Sequence, residues 1–130
     1  MKKEIKLVDT NYIIRYLMND NKEMYIKAFA FFEDVKLGKI NVIILESVLV
    51  ECVHILHKVY KVEKAVISEV LTNLLDFNGV LNDDKDELVK SLILFNVKNN
   101  LDIVDCILLF KSQKNGYELI TFDKGIKKML

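Results

Sequence analysis

Proline is absent from this chain, glycine occurs only four times and cysteine twice. The scattered glycines form no glycine-rich loop of the kind that cradles a phosphate. No low-complexity tract or internal repeat accompanies them. Two cysteines are too few for a disulfide framework. Cys52 and Cys106 both lie in apolar helical segments and read as reduced core thiols. Neither sign of charge is in excess: 19 Lys and Arg balance 19 Asp and Glu. That balance removes the long-range pull on nucleic acid that a basic domain exerts, so any such contact must be local or run through a metal. No apolar run approaches the ~18 residues needed to span a bilayer. The opening Met1-Lys2-Lys3-Glu4-Ile5-Lys6-Leu7-Val8-Asp9 has two lysines near its start but no apolar core of signal-peptide length. A cytoplasmic protein is expected.

The chain has 130 residues, 52% hydrophobic and 29% charged. This fits one domain over residues 1–130, able to bury roughly two-thirds of its unfolded surface. The balance of apolar and charged residues excludes a disordered chain.

Hydrophobic spacing predicts alternating strands and helices. Glu4 to Val8 reads as a strand. A helix follows Thr10-Asn11, with Ile13, Ile14, Leu17 and Met18 recurring on one face. A second runs from about Lys22 to Leu37, with Met24, Ala28, Phe31, Phe32 and Val35 inward and Gly38 as its stop. Asn41 to Leu45 reads as a buried strand. The next helix starts at Glu46 or Ser47 and reaches about Tyr60, with Ser47, Glu51, His54 and Lys58 on one stripe. Further helices are expected over about Glu63 to Asp76 and from Asp83 or Asp84 to about Asn99, with a short strand at Val80-Leu81. Asp102 fits the N-cap of a buried helix that Asn115-Gly116 ends. Tyr117 to Thr121 reads as the last strand, and Lys124 to Met129 as a tail helix. Such alternation favours a parallel sheet covered on both faces, with ligands beyond the carboxyl ends of the strands.

Four carboxylates mark this pattern. Asp9 ends the first strand, Glu51 lies within Val48-Leu49-Val50-Glu51-Cys52-Val53, Asp105 interrupts an apolar run, and Asp123 follows the last predicted strand. Each has a structural explanation alone. Asp9 and Asp123 can cap helices, Asp105 can complement a helix N-terminus, and Glu51 can face water. Asp102 already supplies a cap, however, which leaves Asp105 free for other work. If the acids converge, each pair of charges at 4 Å repels by about 4 kcal/mol at an effective dielectric near 20. A hard divalent cation, Mg²⁺ or Mn²⁺, would relieve that repulsion. Other chemistries lack parts. His54 and His57 have no cysteine beside them to complete a zinc set, and no nucleophile elbow is present. Asn11 stands where an aspartyl-phosphate enzyme of the haloacid-dehalogenase type has a second Asp.

Taken in order, Val8-Asp9-Thr10-Asn11, Ser47-Val48-Leu49-Val50-Glu51, Asp102-Ile103-Val104-Asp105 and Thr121-Phe122-Asp123-Lys124 resemble the motifs of PIN-domain ribonucleases, and among these the VapC-like toxins of toxin–antitoxin pairs. The resemblance covers nearly the whole chain. It implies a three-layer α/β/α fold around a central parallel sheet. It also implies that Asp9, Glu51, Asp105 and Asp123 form an acidic Mg²⁺ or Mn²⁺ site supported by Asn11 and Thr121. The implied activity is RNA phosphodiester hydrolysis, in a toxin that forms a homodimer and is silenced by an antitoxin. Two departures bear on site geometry: Cys106 stands where a small alanine is common, and Glu46 adds an acid. Lys124, Lys127 and Lys128 can guide an RNA backbone or form a solvated face. A non-catalytic RNA-binding or RNA-processing module, or a small-molecule phosphohydrolase, remains as an alternative on the same residues.

Overall fold

The computed structural model describes residues 4–130; Lys2 and Lys3, part of the reading of the N-terminus, lie outside the described residues. In order the elements are β1 (Ile5–Leu7), α1 (Thr10–Met18), α2 (Lys22–Lys36), β2 (Asn41–Ile43), α3 (Glu46–His54), a π-helical turn (Ile55–Val59), α4 (Lys64–Leu75), α5 (Lys85–Val97), α6 (Ile103–Asn115) and α7 (Lys124–Lys127). No helix among the described residues is long and apolar enough to cross a membrane.

β1 and β2 pair in parallel, with Ile5, Lys6 and Leu7 opposite Asn41, Val42 and Ile43. On the other edge of β2, Val42 forms a single parallel bridge to Val80. The Val42 N–H donates to the Gly79 carbonyl at 2.7 Å, and the Leu81 N–H donates to the Val42 carbonyl at 2.9 Å. The Asn82 side chain then continues this ladder. Its Nδ2 donates to the Ile44 carbonyl at 2.6 Å and its Oδ1 accepts from the Ile44 N–H at 2.9 Å. The expected Val80-Leu81 strand is thus one bridge long, and a side chain substitutes for the next backbone. Gly79 is required there by close approach: a Cβ would stand 2.0 Å from the Ile40 carbonyl oxygen and 2.7 Å from that of Val35.

The predicted last strand does not form. Residues 117–123 are irregular, and Phe122 is 99% exposed. Both backbone groups of Tyr117 turn back to Ser112 of α6, the N–H to its carbonyl and the carbonyl to its hydroxyl. At the other end the Asp123 N–H donates to Thr121 Oγ1 at 3.0 Å. Local bonds therefore hold both ends of the segment, and no ladder to a neighbouring strand forms. Among the described residues the regular sheet has two strands.

The helices follow their periodicity. α1 packs on α2 and α3, α3 on α6, and α5 on both α4 and α6. The core they enclose includes Ile13, Phe32, Val35, Leu49, Leu56, Leu71, Leu92 and Ile103. Cys52 and Cys106 are free, buried thiols, as expected from their neighbours. Some inward assignments fail. Met24 is half-exposed, and α6, expected to be buried, shows Val104 and Leu108 to solvent. The helix after β2 reaches its expected end near Tyr60 only by widening: the Tyr60 N–H donates to the Ile55 carbonyl, five residues back. Gly38, in the left-handed region at φ +80°, ends α2 as predicted.

Candidate active site

The chain leaves β1 through buried Val8 and exposes Asp9, which caps α1 by accepting the Asn11 N–H at 2.6 Å. Capping uses one carboxylate oxygen, so the structural reading of Asp9 holds without consuming the group. Asn11 supports Asp9 through its backbone; among the described residues its side chain makes no hydrogen bond. β2 leads into α3, whose buried face (Leu49, Cys52, Val53) turns Glu51 outward. Ser47, Glu51, His54 and Lys58 are all exposed, so the predicted stripe holds even where the helix widens. The extra acid, Glu46, is occupied elsewhere. Lys111 lies 3.4 Å from Glu46 and 3.0 Å from buried Glu87, and both carboxylates push the Lys111 pKa up.

Asp105 corrects one expectation. Asp102 Oδ1 accepts the Asp105 N–H at 3.0 Å, and Asp105 Oδ2 accepts the Asp102 N–H at 3.1 Å. The two form a reciprocal capping box, so Asp105 also caps α6. Burial of Asp105 raises its pKa above the usual carboxylate range. The Asp102 N–H opposes that shift, and the negative charges of Asp102 and Asp123 add to it. Asp123 is therefore close enough to be felt. It caps α7 by accepting the Ile126 N–H at 3.0 Å, and Thr121 holds its backbone. Buried Ile126 anchors that short helix. A Cβ on Gly125 would lie 2.8 Å from Asn100 Nδ2 and 3.1 Å from Asp123 Oδ1, so any side chain there would displace the end of Asn100 or Asp123.

The charge of Asp123 adds to the raised pKa of Asp105, and the charges of Glu51 and Asp9 add to the burial that raises the Cys52 thiol. α3 packs on both α1 and α6, so the elements that carry Asp9, Glu51 and Asp105 adjoin. The four acids do not line one common cavity. Asp105 lines a groove with Asp102, whereas Asp9 borders separate depressions beside Tyr12. Among the described residues, no three Asp, Glu, His or Cys side chains stand close enough to form a ready metal shell. The donor chemistry nonetheless suits a hard cation, since all four candidates are carboxylates and Asp105 has the negative charges of Asp102 and Asp123 near it. Sequence reasoning gave Asp102 only a capping role, and it missed Lys64, Asn99 and Asn100, which share the Asp105 groove. Of that groove, the stripe through His54 and Lys58 was the one sequence clue.

Asp9 lies at the carboxyl end of the parallel strand β1, where α/β sheets bind ligands, and Asp102, Asp105 and Asp123 open α6 and α7. Residues 6–129 match the PIN domain family, and the chain belongs to that family. It is also similar to the VapC ribonuclease of Aquifex aeolicus (strain VF5), with 25% identity over 126 residues, covering 96% of this chain and 92% of that protein. No solved structure matches it.

Proposed function

We propose that this protein is a metal-dependent endoribonuclease and the toxin of a type II toxin–antitoxin pair. The observation that carries the reading is Asp105: a half-buried carboxylate, raised in pKa beside Asp102 and Asp123, in a chain that belongs to the PIN domain family along nearly its whole length. Similarity to a VapC ribonuclease over 96% of the chain supports RNA as substrate and an antitoxin as partner.

In this reading Asp9, Asp105 and Asp123 hold Mg²⁺ or Mn²⁺, and Glu51 binds it directly or through water. When bound, the cation supplies Lewis acidity toward a water and the scissile phosphate. Thr121 holds the Asp123 backbone through the N–H it accepts. The Asn11 N–H holds one Asp9 carboxylate oxygen, and the Ile126 N–H holds one of Asp123, in place before any ligand arrives. Lys124, Lys127 and Lys128, on and just after α7, offer positive charge to the RNA backbone. The protein acts in the cytoplasm as a single domain with a three-layer arrangement about its parallel sheet. It pairs as a homodimer, which the full exposure of Phe122 favours.

One observation favours a second reading. Asp9, Asp105 and Asp123 each cap a helix, so their identities also serve a non-catalytic RNA-binding module. Incubating the purified protein with an RNA pool, with and without Mg²⁺ or Mn²⁺, and mapping the ends separates the two. The nuclease reading expects metal-dependent cuts that Asp9→Asn and Asp105→Asn abolish. Cutting by both variants at the parent rate would sink the site assignment.

A further inference from the structure

A groove of about 280 Å³ runs from Asp105 and Asp102 along the π-helical turn to the loop between α5 and α6. We propose that this groove is an RNA subsite for the nucleotide flanking the scissile phosphate, with Lys58 and His54 on its phosphate and the His57 ring against its base. The proposal rests on the nuclease reading for the position of the cut.

The groove reaches one of the four acids: Asp105 lines it together with His54 and Lys58, and Glu51 shares the exposed stripe of His54 and Lys58. A chain bound at Asp105 therefore meets His54 and Lys58 next. Its volume is at the small end for ligand sites, which suits one nucleotide and not a duplex.

The wall is built from an uncommon element. π-helical turns are rare and concentrate at functional sites, because their wider hydrogen-bond ring sacrifices regular geometry. Here the turn carries His57 and Lys58 into the groove. The floor is fixed. Lys64 donates to the carbonyls of Lys98 and Leu101, at 3.1 and 3.0 Å, and lies 4.3 Å from the centre of the buried Phe95 ring. His57 stands edge-on to the same ring at 5.9 Å.

Charge and chemistry then select the ligand. Lys58 is exposed and, among the described residues, has no carboxylate partner, whereas Lys64 is tied into the loop. In a chain of zero net charge this is a local cationic spot beside an acidic one, an arrangement that fits a polyanion whose adjacent phosphate sits over the acids. Burial and the nearby Lys58, Lys64, Lys61 and His54 lower the His57 pKa, which favours the uncharged ring, and its face offers a base a surface for stacking. The exposed amide of Asn99 on the rim can bond a base edge or a 2′-hydroxyl.

The test uses a fluorescein-labelled pool of short single-stranded RNA. Binding is read by anisotropy in the cleavage-silent Asp9→Asn protein, and cleavage is read in the parent. The His54→Gln, Lys58→Gln double variant is compared with Lys90→Gln, an exposed cation on α5. Thermal melts confirm folding, which changes at two exposed positions should preserve. The proposal expects several-fold weaker RNA binding in the double variant. The slope of log affinity against log salt should be shallower by roughly 0.7 per lost phosphate contact. KM should rise with kcat near the parent value, and Lys90→Gln should match the parent throughout. If the double variant binds and cuts like Lys90→Gln, or if the pool does not bind, the groove proposal is overturned. If the parent never cuts yet the double variant still loses binding, the groove stands as an RNA subsite and the nuclease reading fails.

Discussion

Asp102 and Asp105 each accept the other's backbone N–H, at 3.0 and 3.1 Å, so the carboxylate proposed to hold a cation also closes the first turn of α6. Structural and chemical demands meet on one side chain. Asparagine keeps an oxygen acceptor in place of the carboxylate, so Asp105→Asn should separate the two roles.

The folded protein raises the Asp105 pKa by burial and by the charges of Asp102 and Asp123. Ionising Asp105 is therefore harder in the folded chain than in the unfolded one. Below the unfolded pKa the group contributes no difference. As pH rises through the window between the unfolded and the higher folded value, stability falls, and it stays lower above that window. Asp105→Asn removes this loss. We expect it to be more stable than the parent near neutral pH, by a small margin because solvent screens the group. The gain should vanish as pH drops below about 4. Melting curves of both proteins across this range check the sign; a variant less stable than the parent at neutral pH would contradict it.

Asn82 brackets the Ile44 backbone just before α3 begins. Asn82→Ala leaves a part-buried N–H and carbonyl without these partners and should cost about 2 kcal/mol. The expected fall in Tm is about 8 °C for a domain of this size. An unchanged Tm would mean that water replaces the amide without loss.

Gly125 touches Asn100 and Asp123 through the ends of flexible side chains. Both can yield, so Gly125→Ala should melt within a few degrees of the parent. They yield by moving the Asp123 carboxylate, however, and misplacement of that kind lowers rate steeply. A kcat reduced more than roughly tenfold, with folding intact, is expected in an RNA-cleavage assay. Parent-like turnover would remove Asp123 from the site.

Burial pushes both the Cys52 and the Cys106 thiols up to about 12. Near pH 8 roughly one thiol in ten thousand is ionised, and neither is exposed. Alkylation by iodoacetamide should be negligible in the native protein and rapid in denaturant. Fast labelling of the native state would show that the packing around α3 and α6 opens readily.

Much of this arrangement could be read in the amino acids. The stripes of α1 to α6 are set by burial periodicity, and the caps at Asp9 and Asp123 by local chemistry, so both were visible. What escaped depends on longer-range or reciprocal contacts. Tyr117 to Thr121 has strand-like composition, but Ser112 and Thr121 hold its ends in local bonds. The widening at Ile55–Val59 leaves the apolar pattern intact, so periodicity cannot reveal it. Asp105 was read as surplus to capping because Asp102 filled the cap, whereas a capping box uses both acids. The order of the four acids along the chain was legible. Their separation into different surface depressions was not, because it depends on how α1 and α6 pack on α3.

The central claim is that Asp9 and Asp105, at the starts of two helices that both pack on α3, serve one hard cation. Titrating Mn²⁺ into the parent, Asp9→Asn and Asp105→Asn proteins, with binding read by calorimetry and by the Mn²⁺ electron paramagnetic resonance signal, tests it without relying on RNA. The account predicts saturable binding to the parent that weakens by about tenfold or more in each variant, as loss of a coordinating carboxylate should. Equal Mn²⁺ affinity in all three proteins would contradict it.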